Sequence, residues 1–142
     1  MKHMIQVFFA AVVSAAAGAP VSAQTSAEQW HAYIDRETES LFDEVVDRRR
    51  HFHTNPELSN REFETAGYIA EFLRGLGMDV QTGVAHTGVV GVLKGGLPGP
   101  VVGLRADMDA LPVPSRADLP FSPDVVSEYM GEEVPVSHAC GH

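Results

Sequence analysis

Apolar residues at Trp30, Tyr33, Ile34, Leu41, Val45 and Val46 recur at three- and four-residue steps. That spacing predicts an amphipathic helix, opened by Thr25 or Ser26 and running to about Arg50. Residues 51–56, His-Phe-His-Thr-Asn-Pro, break the pattern, because the residue before a proline is pushed out of helical geometry. A second helix is announced by Ser59-Asn60-Arg61-Glu62, which reads as a capping box, and its stripe is Phe63, Ala66, Ala70, Leu73 and Leu76, with Gly75 and Gly77 ending it. Aromatic residues at this spacing read as core; the alternative is a recognition surface. From Met78 the period turns strand-like, in 78–84 and again in 88–94, predicting a valine-rich hairpin. Residues 95–99 punctuate a turn, and 100–106 (PVVGLRA) reads as a buried strand. Residues 107–142 carry Pro112, Pro114, Pro120, Pro123 and Pro135 and read as loop throughout. Two helices followed by strands, without internal repeats, predict an α/β domain.

The first 23 residues differ from the rest. Lys2 precedes a nearly continuous apolar run from Ile5 to Ala17, and Val21-Ser22-Ala23 closes it with small residues. This reads as a secretory signal peptide cleaved after Ala23, leaving 24–142 as the mature domain in the periplasm or outside the cell. The alternative, a membrane anchor, has to accommodate Pro20 in a run shorter than the about 20 apolar residues a spanning helix needs.

Composition narrows the function. The chain has 142 residues, 44% of them apolar, and 10 Lys and Arg against 19 Asp and Glu, for a net charge of -9. That apolar content fits a folded domain, and the acidic balance argues against a nucleic-acid partner. The single cysteine, Cys140, cannot form an internal disulfide. In an oxidising compartment it is buried and inert, paired with another chain, or bound to a metal.

Two groups of residues could carry chemistry. Asp107 and Asp109, at the end of the predicted strand, are spaced so that both carboxylates can point to one place, suiting metal coordination or the orientation of a histidine ligand. The plainer reading is an ion pair of Arg105 with one aspartate and a turn cap from the other. In His138-Ala139-Cys140-Gly141-His142, alternate side chains of an extended chain project together, and thiolate and imidazole are good ligands for a transition metal. A buried cysteine with histidines nearby by chance, or a cysteine nucleophile with a histidine base, are the competing readings. His51, His53 and His86 read as solvent or loop residues.

Taken in order, RRRHFHTNPELSNREFET (48–65), GLRADMDALPV (103–113) and HACGH (138–142) resemble the N-terminal part of the metal-dependent amidohydrolases, which include hippurate hydrolases, N-acyl-amino-acid amidohydrolases, auxin-conjugate hydrolases and aminoacylases. The resemblance covers the chain from about Tyr33 onward. It implies the N-terminal part of a catalytic domain like those of co-catalytic zinc peptidases, with helices packed on a mixed sheet and without the lid or dimerisation domain. It implies two divalent ions, zinc or manganese, with Cys140 and His142 as ligands, Asp107 as a further ligand and Asp109 in support. Residues 53–58 match a signature with a structural role under the site, and Ser115 stands where many members have an acid. The general-base glutamate and further ligands would lie beyond residue 142, so the 142 residues alone are expected to be inactive. The implied activity of the whole enzyme, a homodimer, is hydrolysis of N-acyl amino acids or similar small amides. The reading from another class is a noncatalytic secreted domain that binds metal or a partner through Cys140 and His142.

Overall fold

The structure, a computed structural model, describes residues 27–140. The segment read as a signal peptide and its expected cleavage position, along with Gly141 and His142, lie outside the described residues. The chain divides into two units, Met1–Thr38 and Glu39–His142. What is described of the first is the opening of helix α1 (Ala27–Thr54), where Trp30 meets Tyr33 edge-on with ring centroids 6.0 Å apart and Arg36 lies over the Tyr33 ring. The expected stripe exists as geometry, but α1 buries none of its residues.

Helix α1 runs one turn further than the sequence suggests, to Thr54. The constraint from Pro56 falls on Asn55 alone, so residues 51–54 remain free to be helical. Asn55 closes the end, with its backbone N–H and its side-chain Nδ2 both donating to the His51 carbonyl, at 3.1 and 2.8 Å. This places His51 and His53 on the last helical turn instead of in a loop. Two residues apart on a helix, they face different ways. His51 stacks on Tyr68 with centroids 4.6 Å apart, while His53 meets Phe121 edge-on at 5.9 Å.

Helix α2 (Phe63–Gly75) starts with a different cap from the expected box. Ser59 plays no part in it, since the chain turns at Asn60, whose φ is 62°. The Glu57 carboxylate reaches forward instead, accepting the backbone N–H of Thr65 at 2.7 Å and of Glu64 at 3.2 Å. Glu62 turns inward and accepts the Thr87 hydroxyl at 2.8 Å, a buried pair. Of the expected stripe, Ala66 and Ala70 are buried whereas Phe63 and Leu76 are exposed.

The first hairpin matches expectation, with β1 (Asp79–Val84) antiparallel to β2 (Gly88–Val92). A bulge lies between Gln81 and Val84, where Gly83 takes a φ of 72°. The hairpin packs on α2 through Gly91, where a Cβ would stand 3.0 Å from Leu73 Cδ1. Residues 100–106 form no strand: Val101 and Leu104 are 99% and 97% exposed. A buried strand needs partners for its backbone groups on both sides, and among the described residues none lies beside this segment.

A second hairpin occupies what reads as loop in the sequence. Strands β3 (Val126–Tyr129) and β4 (Glu132–Pro135) pair antiparallel. Their two-residue turn, Met130-Gly131, has φ of 55° and 85°, the left-handed pair that matches strand twist. The prolines around it hide the alternation, but Pro135 sits at a strand end, where a missing N–H is tolerated.

The core lies where these pieces converge. Leu58, Ala110 and Val136 are buried together, with Val125 packed against them. Residues 58 and 110 form a parallel bridge and residues 111 and 137 an antiparallel one. The mixed pairing of an α/β domain is therefore present here as single bridges around three apolar side chains.

Candidate functional site

The core registers the two groups of interest against each other. Ala110 donates its N–H to the Glu57 carbonyl at 2.7 Å, and Leu111 and Ser137 exchange both backbone hydrogen bonds, at 3.0 and 3.1 Å. Ser137 Oγ adds a bond to the Val113 carbonyl at 2.9 Å. With Ala110 and Val136 buried, their neighbours Asp109 and Ser137-His138 are held side by side.

The two aspartates differ in what surrounds them. Arg105 donates through Nε and Nη2 to Asp107 Oδ1, at 3.1 and 2.8 Å, so the ion pair is formed. Asp109 is the one whose charge reaches His138. The His138 imidazole titrates below its ordinary value, first because burial penalises the cation, then because His53 is nearby; Asp109 opposes both. His53 and His138 are thus neighbours, brought together from the last turn of α1 and the segment after β4.

The sequence places His138 in the candidate ligand segment, whereas His53 reads there as a solvent or loop residue. Nε2 of His53 and of His138 is buried and has no hydrogen-bond partner among the described residues. The helical phase of residues 51–54 was the signal that could have found His53. Cys140 is an exposed free thiol two residues beyond His138. Among the described residues no three His, Cys, Asp or Glu side chains cluster closely enough to hold a metal ion. The donors fit a borderline divalent cation in kind, a thiol with imidazoles and a carboxylate alongside, but the described part of the set is incomplete.

No family model matches the chain. It is 37% identical over 109 residues to the N-acyl-L-amino acid amidohydrolase of Geobacillus stearothermophilus, covering 77% of this chain and 27% of that one. Over 94 residues it is 44% identical to the hippurate hydrolase of Campylobacter jejuni, covering 66% of this chain and 22% of the relative. Its backbone superposes on the Bacillus subtilis YXEP protein, a dinuclear metal-binding peptidase of the M20 family, with a TM-score of 0.61 and 34% identity over 72% of this chain and 27% of that one. The chain is a relative of the metal-dependent amidohydrolases. It spans about a quarter of the length of the curated relatives it matches. The α/β character of this amidohydrolase relative agrees with that kinship, and no helix among its described residues is long and apolar enough to cross a membrane.

Proposed function

We propose that the chain supplies part of the metal site of an enzyme that hydrolyses N-acyl amino acids or similar small amides. The observation that carries this reading is the Leu111–Ser137 bridge, which sets the aspartate-bearing segment beside the one leading to Cys140. Cys140 and His142 would hold a divalent ion, zinc or manganese, with Asp107 as a further ligand if it shares its carboxylate with Arg105. Asp109 would support the site through His138. Two bound ions would supply Lewis acidity, polarising the acyl carbonyl and acidifying water.

The chain's own residues do the rest of what can be assigned. The Leu111–Ser137 bridge fixes the approach of Cys140, and the core beneath it resists displacement of Asp109. The net charge of -9 argues against a nucleic-acid substrate. The leader at 1–23 would direct the protein to the periplasm or beyond, with cleavage after Ala23, and the whole enzyme would act as a homodimer.

Cobalt substitution tests the metal reading. The 142-residue chain with Co²⁺ is expected to show a cobalt–thiolate charge-transfer band that disappears in Cys140→Ser and weakens in His142→Ala. A spectrum unchanged by Cys140→Ser would overturn the assignment. With too few ligands for a complete site, the chain alone is expected to turn over no N-acyl amino acid with added Zn²⁺ or Mn²⁺; turnover abolished by chelation would contradict that.

A further inference from the structure

Among the described strands, β2 alone carries nothing that guards an open edge. Unpaired N–H and C=O groups along an edge invite a further strand, and proteins blunt such edges with charges, proline or bulges. Strands β3 and β4 hold Glu128, Glu132, Glu133 and Pro135, and β1 holds Asp79 and the bulge between Gln81 and Val84. Strand β2 reads Gly-Val-Val-Gly-Val, has β1 on one side only, and leaves Val90 and Val92 exposed.

A few residues further on, the chain supplies an apolar run that lacks a neighbour. Val101, Val102 and Leu104 are exposed, and residues 100–106 pair with none of the described strands. Arg105 bonds to Asp107, two positions on, as an extended chain allows, because alternate side chains share a face. Beyond it the chain is held by the Ala110 N–H on the Glu57 carbonyl and by the two bonds between Leu111 and Ser137. Residues 93–109 are thus tethered at both ends, by β2 and by the core. The link 93–99 contains Gly95, Gly96 and Gly99, and a Cβ at Gly96 or Gly99 would touch nothing. Its seven residues reach about 23–25 Å when extended, several times the about 4.8 Å between paired strands. Nothing in the link prevents a return to β2.

We propose that residues 100–106 are a strap that closes antiparallel onto the open edge of β2, and that the structure shows the strap open. The direction follows from the link, since so short a return makes a hairpin, whereas a parallel neighbour needs a crossover of about a dozen residues or more. Closure gives the backbone groups of both segments partners and covers the edge that a second copy would otherwise find. It also continues the first hairpin toward the Leu58–Ala110 and Leu111–Ser137 bridges as one mixed sheet, with Asp107 at the end of a paired strand. The strap depends on the chain's own backbone and side chains and not on the hydrolase reading.

Amide hydrogen exchange, read by NMR on the ¹⁵N-labelled 142-residue chain, tests the strap. Every second β2 amide points away from β1. Those amides, with alternate ones in 101–105, are expected to exchange at least about tenfold more slowly than exposed chain, at a rate independent of protein concentration. Close Hα–Hα contacts between β2 and 100–106 are expected in the same sample. The double variant Val102→Pro/Gly103→Pro removes neighbouring donors, one toward each edge, yet suits an extended segment without partners. It is expected to return the outward β2 amides to free-chain exchange while the amide positions of α2, β3 and β4 stay unchanged, which shows that the variant is folded. Val102→Ile should keep the protection. Free-chain exchange at the outward β2 amides of the parent, absence of the Hα–Hα contacts, or protection that survives both prolines would each overturn the proposal. Protection that grows with concentration would overturn it too, by assigning the edge to a second copy.

Discussion

Replacing Glu57 by alanine tests the route by which helix α2 is started. Its carboxylate accepts two backbone N–H groups, from Thr65 at 2.7 Å and Glu64 at 3.2 Å, at the positive end of the helix. Loss of a capping acceptor costs about 0.5–2 kcal/mol. Loss of a negative charge at a helix N-terminus adds about 0.3–1 kcal/mol, so Glu57→Ala should cost about 1–3 kcal/mol. Glu57→Gln, keeping an acceptor without the charge, should cost only the smaller part. Ser59→Ala, which removes the hydroxyl of the capping box suggested by the sequence, should stay within about 0.5 kcal/mol of the parent. Urea unfolding followed by circular dichroism reads all three; with a slope of about 1–3 kcal/mol/M, the alanine variant's midpoint should fall by about 1 M at constant slope. A loss in Ser59→Ala with none in Glu57→Ala would refute the reasoning and restore the box.

Thr87→Val removes the hydroxyl donated to buried Glu62 and should cost about 1–3 kcal/mol in urea unfolding, with Thr87→Ser close to neutral; a neutral valine variant would show that the pair is not buried. Gly88→Ala places a Cβ 2.5 Å from the Val84 carbonyl oxygen, so the turn must shift. A cost of about 1–3 kcal/mol is expected, and an unchanged melting temperature would contradict that closure. Burial, with His53 adding to it, holds the metal-free His138 imidazole below its ordinary 6.5. The unfolded chain therefore takes up a proton before the folded one does. This group's contribution is complete above about pH 6.5 and declines as the pH falls toward the lowered folded value. Unfolding midpoints measured between neutral and mildly acidic pH should fall with acidification, and less steeply in His138→Asn; identical slopes would refute the burial.

Local signals were legible wherever an element depends mainly on its own residues. The valine-rich hairpin at β1 and β2 and the existence of both helices follow from periodicity, since side-chain repeats of two and 3.6 are properties of the backbone itself. Residues 107–109 and 138–142 stand out in the sequence by residue type and spacing. Tertiary structure decided which groups meet. Glu57, and not Ser59, caps α2 because the turn at Asn60 sets the carboxylate over the helix end. Residues 100–106 find no strand partner among the described residues, because strand identity depends on a neighbour's hydrogen bonds, which no amount of valine supplies. His53 and His138, 85 positions apart in chain order, are neighbours because Leu58, Ala110 and Val136 bury one another and carry their flanking residues along. Sequence alone determines the period and chemistry of each segment, because those depend on bonds within it; which segments face one another is a free-energy balance over contacts between distant residues, and only the folded chain expresses it.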